Sequence, residues 1–251
     1  MSKKTQKSIN IWGIKINLFS LDEFVNNVEV RIKNNEIPIH ITGVNPETVV
    51  HASKDEFMRK AILNSDFVNI DNAFIVLTLR TLGFRVPERV ATPDLFEKLL
   101  VLATKNHYNV FILGARENIL DRAIENIRKD YPTISIKGHH GYYSRDNEQE
   151  IINEIKKFKT DMLFIAFPSP EKESFILKYK NSIDAKLLLG VGGAIDCRGE
   201  LIKRAPAILR NNGFEGIHRS LQNPLYYGKR YFTFYPKFLK IVFKQRYIKN
   251  D

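Results

Sequence analysis

An aspartate at the end of a buried strand could act as a base. Asp71 closes the apolar run Phe67–Ile70, so its carboxylate should lie where that strand ends. A carboxylate in a pocket can accept the proton of an attacking hydroxyl. The alternative is that Asp71 only caps the helix that follows, a common position for this residue. The local sequence leaves both interpretations open.

A glycine-rich segment, Gly190 to Gly193, follows the run Leu187–Leu189. Glycines let backbone amides approach a phosphate closely. The spacing is neither Gly-x-Gly-x-x-Gly nor a Walker motif, and a tight strand-to-helix turn explains it equally well.

Five cations fall near predicted loops, and any one of them could be an ordinary surface charge: Arg85, Arg89, Lys203, Arg204 and Arg219. Together in one pocket they would suit a diphosphate, because guanidinium groups match phosphate oxygens. The sequence shows no zinc-type ligand set, no Asp-x-Asp pair and no Gly-x-Ser-x-Gly elbow. Cys197 is the only cysteine, which excludes an internal disulfide and fits a reducing compartment.

The elements that must position these residues alternate along the chain. Apolar runs of a few residues precede amphipathic stretches, which predicts an α/β fold with a mostly parallel, open, Rossmann-like sheet flanked by helices. Ligands of such sheets bind beyond the carboxyl ends of the strands. The pattern predicts helices at approximately 46–63, 72–82, 119–130, 148–158 and 171–179.

Composition predicts one main domain that is not integral to a membrane. The chain has 251 residues, 43% of them hydrophobic, and a formal net charge of +11. Its first ten residues are polar and basic, so we expect no signal peptide, and no apolar stretch approaches the ~18 residues that span a bilayer. The positive charge favours a nucleic acid, an anionic lipid or a phosphate-bearing ligand.

The rhythm changes near residue 212, so we divide the chain into an α/β catalytic domain (1–211) and a basic helical appendage (212–251). Residues 226–251 contain seven Lys or Arg and one acid. Phe238, Leu239 and Val242 follow helical spacing, with lysines on another side, which is typical of a helix lying on an anionic membrane surface. The alternative is a terminal helix packed on the core with a solvated basic edge.

A series of motifs in order resembles the WecG/TagA/CpsF family, glycosyltransferase family 26, over roughly residues 11–231. The motifs are Val44 to Glu47, Asp71, Arg89 to Leu95, Phe111 to Gly114, Gly138 to Tyr143, Pro168 to Glu173, Gly190 to Asp196, Arg204 to Pro206, and Gly213 to Arg219 with Pro224 and Arg230.

The resemblance implies inverting transfer of a hexose, N-acetylhexosamine or uronic acid from a UDP-sugar to a polyprenyl-diphosphate-linked saccharide, for a cell-surface polysaccharide or teichoic acid. It implies a peripheral enzyme at the inner face of the cell membrane, which needs no divalent metal and no cofactor beyond the UDP-sugar donor. Asp71 would be the catalytic base, and the appendage arginines would stabilise the departing UDP. The residues implied to bind the substrates are Thr42, Asn45, Asn72, Arg89, Asp94, Lys172, Glu173, Gly192, Gly193, Asp196, Arg204, Arg219 and Arg230.

Four positions depart from the family pattern. Gly43 stands where many members have the threonine of Thr-x-Asn, and Asn72 replaces the glycine after the aspartate. Lys172 replaces a glutamine of the donor side, and Gly216 replaces a tryptophan. We expect an atypical subgroup with its own donor or acceptor sugar.

Two other functions compete with glycosyl transfer. A nucleotide-dependent oxidoreductase would need glycines in the first loop, which reads Asn45-Pro46-Glu47-Thr48. A basic lipid- or nucleic-acid-binding module, or a degenerate transferase acting as a scaffold, would fit the charge. No nucleic-acid-binding motif is present, so we expect no nucleic-acid partner; a homo-oligomer is expected as one possible state.

Overall fold

Residues 8–17 form a β-hairpin that the sequence did not predict. In a computed structural model, which describes residues 7–211 and 214–248, β1 (Ser8–Ile11) pairs antiparallel with β2 (Ile14–Asn17). The turn residues Trp12 and Gly13 both have positive φ. The apolar side chains of the hairpin are buried, so it closes one flank of the core.

A six-stranded parallel sheet forms the centre of the molecule, as predicted. The strand order is β4-β3-β8-β7-β5-β6, and every described neighbouring pair is parallel. The strands are β3 (Ile39–Val44), β4 (Phe67–Ile70), β5 (Asn109–Gly114), β6 (Ser135–His139), β7 (Met162–Ala166) and β8 (Leu187–Gly190). The α/β class is therefore confirmed.

Helices cover the sheet and account for the predicted alternation. Each predicted helix is present, but the stretch 46–63 is two helices, because Asp55 has extended backbone and caps a second helix through the amides of Phe57 and Met58. The sequence did not predict α1 or α5. The helices are α1 (Leu21–Lys33), α2 (Pro46–Lys54), α3 (Glu56–Leu63), α4 (Ala73–Thr81), α5 (Thr92–Lys105), α6 (Glu117–Asp130), α7 (Glu148–Lys157), α8 (Glu171–Tyr179), α9 (Gly193–Arg198), α10 (Ala207–Asn211), α11 (Glu215–Gln222) and α12 (Pro224–Ile248).

Both faces of the sheet are buried, which is why the strands read as unbroken apolar runs. In β5, Val110 and Ile112 join the cluster beneath α1, α5 and α6, whereas Phe111 and Leu113 join the cluster beneath α7 and α8. The core thus fixes the register of the strands, and it sets the positions of the loops at their carboxyl ends.

The appendage packs on the core rather than standing apart from it. Helix α12 lies against α2 and the hairpin, with Phe238 completely buried and its ring 5.1 Å from that of Trp12 in an edge-on arrangement. Val242 is also buried. These two residues therefore face inward, as the packed-helix alternative has it.

A different side of α12 is exposed. Leu225 and Phe232 are 87% and 86% exposed, and Phe243 is half exposed, beside the exposed Lys229, Lys240 and other lysines. The described part of the chain has no helix long and apolar enough to cross a membrane. The appendage thus presents an apolar and basic outer surface, although with other residues than the sequence indicated.

Candidate active site

A cleft of about 250 Å³ opens at the carboxyl ends of β3, β4, β7 and β8. This is where ligands of parallel α/β sheets bind. Its charged lining combines three carboxylates with two cations, which are Glu47, Asp71, Glu173, Lys172 and Arg230. The arrangement offers hydrogen-bond donors and acceptors to a polar ligand, with cations on two of its sides.

Asp71 lies in this cleft because β4 ends one residue before it. Its Oδ1 accepts a hydrogen bond of 2.7 Å from the backbone amide of Thr92, the first residue of α5. Its Oδ2 accepts none from the residues that the structure describes. The carboxylate is therefore held by one oxygen, and the other is available to a ligand.

Two asparagines of the site act as helix caps. Asn45 Oδ1 accepts from the amide of Thr48 at 3.0 Å and begins α2, and Asn72 Oδ1 accepts from Phe74 at 2.8 Å and begins α4. Asn72 Nδ2 also donates to the hydroxyl of Tyr235 at 3.3 Å, which ties the appendage to the loop that carries Asp71. Burial raises the pKa of the Tyr235 hydroxyl, so it stays protonated.

Thr42 lies at the floor of the cleft within a buried network. Its hydroxyl contacts His40 Nε2 at 3.1 Å and Ser65 Oγ at 2.7 Å. Burial, with Lys180 nearby, lowers the pKa of His40 to about 4, so its imidazole is neutral at pH 7. The hydroxyl of Thr42 is thus engaged by its neighbours, and the network supports β3 from below.

Lys172 and Glu173 enter the cleft from the first turn of α8. Lys172 Nζ donates to Ser169 Oγ at 2.8 Å and lies 3.4 Å from Glu173 Oε1. Ser169 Oγ also donates to Glu173 Oε1 at 2.8 Å, while the buried Oε2 has no partner in the described structure. The stem of Lys172 crosses Gly190 so closely that a Cβ there would meet it at 2.9 Å. Lys172 is therefore fixed above the glycine-rich segment.

That segment turns from β8 into α9. Gly192 has a φ of +45°, a backbone conformation that residues other than glycine rarely adopt. Gly193 is the first residue of α9. Both line the cleft. The turn leaves backbone within reach of a ligand, next to the amine of Lys172.

The appendage closes the other side of the site with two arginine–glutamate contacts. Arg230 of α12 binds Glu47 of α2, and Arg89 Nη2 donates to Glu215 Oε2 of α11 at 2.8 Å. A second cleft of about 90 Å³ lies between them and shares Asn45, Asp71 and Arg230 with the first. Arg230 of the appendage and Arg89 of the α/β domain thus both lie in the cleft that Asp71 lines.

Comparison with known proteins identifies the kind of site. The sequence model of the Glycosyl transferase WecG/TagA/CpsF family matches residues 9–251. The chain belongs to this family. It is therefore a glycosyltransferase, and the resemblance of the motifs is confirmed.

Two curated relatives from Staphylococcus aureus, of strains MW2 and NCTC 8325, are each 28% identical to this WecG/TagA/CpsF member. The alignments cover 86% and 85% of this chain and 85% and 84% of the relatives. Both relatives are named N-acetylglucosaminyldiphosphoundecaprenol N-acetyl-beta-D-mannosaminyltransferase.

Most residues that the motifs indicated meet at these clefts. Those lining at least one cleft are Thr42, Asn45, Asp71, Asn72, Arg89, Lys172, Glu173, Gly192, Gly193 and Arg230. Their roles towards substrates stay predictions.

Other predicted residues lie elsewhere. Asp94 accepts hydrogen bonds from Arg204 and Arg210, and neither it nor Arg204 lines the clefts. Asp196 also lies outside the two linings, and its carbonyl accepts the amides of Leu201 and Ile202. The side chain of Arg219 lies outside what the structure describes. A function in substrate binding for these four residues stays a prediction.

The sequence did not single out several lining residues. Thr92, Ser169 and Glu47 lie within the motifs of the family, but the resemblance implies no role for them. Their position near the predicted strand ends is the signal that could have indicated them. His51, whose ring lies 5.2 Å from that of Phe234, carries no such signal. Within the described ranges, no three His, Cys, Asp or Glu side chains are grouped as metal ligands; transfer without a metal stays a prediction.

Proposed function

We propose that this glycosyltransferase moves a sugar from a UDP-sugar onto a polyprenyl-diphosphate-linked saccharide with inversion at the anomeric carbon. The observation that carries the proposal is the carboxylate of Asp71, held by Thr92 through one oxygen and open to the cleft through the other. The relatives' names support it, because their acceptor is a sugar on a diphosphoundecaprenol and their donated group is N-acetylmannosaminyl.

The proposed reaction is a single displacement. The acceptor hydroxyl gives its proton to Asp71 as its oxygen forms a bond to the anomeric carbon of the donor. The bond between that carbon and the diphosphate oxygen breaks, and its electron pair leaves with UDP. Attack opposite the leaving group inverts the configuration.

Charge on the departing UDP would be stabilised by groups around the cleft. Lys172 lies over the glycine-rich turn, and Arg230 enters from α12 on the opposite side, next to Asn45 and Asp71. Cations that are fixed before the reaction stabilise developing charge without a reorganisation cost. Arg230 contacts Glu47 in the structure, so we expect the diphosphate to share or take over this arginine.

The acceptor's lipid would reach the cleft from a membrane that the appendage contacts. The exposed side of α12 combines Leu225, Phe232 and Phe243 with lysines, the composition of a helix that rests on an anionic lipid surface. The same helix carries Arg230 into the cleft. Membrane contact and catalysis would thus share one element, at the cytoplasmic face of the cell membrane.

The experiment is transfer by the purified protein, with a panel of UDP-sugars and a synthetic lipid-diphosphate-linked N-acetylglucosamine as acceptor. We expect acceptor-dependent UDP release with one donor and a product whose new linkage has the inverted configuration by NMR. Reactions without acceptor give the background of donor hydrolysis. A retained configuration would contradict the proposed mechanism, and binding of vesicles without transfer from any donor would favour the scaffold alternative.

A further inference from the structure

The backbone at Gly43 leaves room beside the proposed base. Gly43 lies on β3 opposite Asn69 of β4 in the parallel register. A Cβ at this glycine would come within 2.7 Å of Thr92 Oγ1 and 3.3 Å of Asp71 Cβ. The hydroxyl of Thr92 is therefore seated against the Gly43 backbone, at the same place as the side chain of Asp71.

A buried asparagine determines how this hydroxyl is used. Asn69 is fully buried, and its Nδ2 donates to Val90 O at 2.7 Å and to Thr92 Oγ1 at 3.3 Å. The carbonyl of Val90 can only accept, so the nitrogen of the amide, and not its oxygen, must face this side. Both amide protons are then used, and Thr92 Oγ1 is an acceptor towards Asn69.

The proton of the Thr92 hydroxyl is consequently directed elsewhere. No residue in the described ranges accepts this proton, although Thr92 is only 7% exposed. Thr92 also lines the cleft. An unused donor in a nearly buried position is unfavourable unless a ligand supplies the acceptor. The cleft thus holds a hydrogen-bond acceptor, Asp71 Oδ2, next to a hydrogen-bond donor, the Thr92 hydroxyl.

We propose that the Thr92 hydroxyl, oriented by Asn69, donates a hydrogen bond to an oxygen of the acceptor sugar at Asp71. The attacking hydroxyl, or an oxygen adjacent to it on the ring, would then be held by a donor from Thr92 while Asp71 takes the proton. Thr92 contacts the substrate, and Asn69 is a positioning residue that acts through Thr92. The inference rests on the proposed function, in which Asp71 receives an acceptor hydroxyl.

The test compares Thr92→Val, which removes only the hydroxyl function at nearly constant volume, with Thr92→Ser, which keeps it. We expect Thr92→Val to lower kcat/KM for the acceptor about 10- to 100-fold, the effect of losing one hydrogen bond that leaves a substrate group unpaired. Thr92→Ser should stay within about threefold of the unmodified protein, and affinity for UDP should not change in either variant. Thr160→Val is the matched control, because Thr160 is equally buried but bonds Ile155 O away from the cleft.

Asn69 is tested by a double-mutant cycle. Asn69→Leu alone should lower kcat/KM for the acceptor as Thr92→Val does. Combined with Thr92→Val, it should lower this kcat/KM by less than about a further twofold, because the effects of residues that act through one another are not additive. Fully multiplied losses would mean that Asn69 does not act through Thr92.

Two results would overturn the inference. One is acceptor kinetics of Thr92→Val equal to those of the unmodified protein, and the other is an equal loss in the Ser and Val variants. Should Thr92→Val fail to fold, Thr92→Ala decides together with Thr92→Ser, since alanine also removes the hydroxyl and should reduce acceptor kcat/KM with UDP affinity intact. A failure of the proposed function can be told apart from a failure of this inference. If Asp71 were not the base, a variant of Asp71 would keep full turnover, whatever the Thr92 variants do.

Discussion

Two phenylalanines on α12 should have separable effects, although they lie six residues apart on one helix. Phe238 is fully buried against Trp12 and Phe74, whereas Phe232 is 86% exposed. Removing a buried phenylalanine side chain costs about 3–5 kcal/mol, through lost burial and the cavity left behind. For a chain of this size that corresponds to a Tm lower by roughly 6–20 °C, if the appendage unfolds together with the core.

Phe238→Ala should therefore lower the Tm and also reduce transfer, because Arg230 and Tyr235 reach the site on the same helix. Phe232→Ala should change the free energy of unfolding by about 0.5 kcal/mol or less. It should instead weaken binding to vesicles that contain an anionic lipid.

Differential scanning fluorimetry measures the Tm of both variants, and vesicle sedimentation measures their binding to anionic lipid. Equal Tm losses would refute the assignment of an inner and an outer side of α12. Unchanged vesicle binding by Phe232→Ala would refute the role of the outer side.

Three further expectations concern charge. Reversing Lys240 and Lys244 to glutamate should weaken binding to anionic vesicles at least about tenfold with little change in Tm; unchanged binding would move the membrane contact elsewhere. Arg89→Ala, which removes one hydrogen bond to the buried carboxylate of Glu215, should lower the free energy of unfolding by about 1.5–3 kcal/mol, and a chemical denaturation midpoint equal to that of the unmodified chain would contradict this. Burial lowers the pKa of His40 from 6.5 to about 4, so stability present above pH 6.5 should fall by at most about 3 kcal/mol between pH 6.5 and 4, and His40→Gln should show a flatter pH profile.

The sheet and the site's place on it could be predicted because burial on both faces makes parallel strands continuous apolar runs. Asp71 was found by its position one residue beyond such a run. The break at Asp55 was missed because the apolar pattern continues through it, and only its extended backbone ends one helix and begins the next.

The orientation of α12 could not be obtained from its sequence. Aromatic and aliphatic residues occur around the whole helix, so Phe232 and Phe238 are equivalent until the hairpin and α2 bury one of them. The pairing of Arg230 with Glu47 joins positions far apart in the chain, and only the fold brings them together.

Gly43 illustrates both what the sequence could indicate about the site and what only the structure could add. The sequence identified it as a departure from the family's threonine, but suggested only a different sugar. The structure adds that Thr92 places a hydroxyl against this glycine, from a helix that the sequence did not predict.

The central claim is that Asp71 accepts the proton of the acceptor hydroxyl. Asp71→Asn keeps an oxygen for the amide of Thr92 but removes the basic group, so the fold should persist. Turnover with saturating donor and lipid-linked acceptor should fall by about 10²–10⁴-fold, the range for loss of a general base, while UDP binds with unchanged affinity. Turnover of the purified, folded Asp71→Asn variant within about tenfold of the unmodified protein would contradict the account.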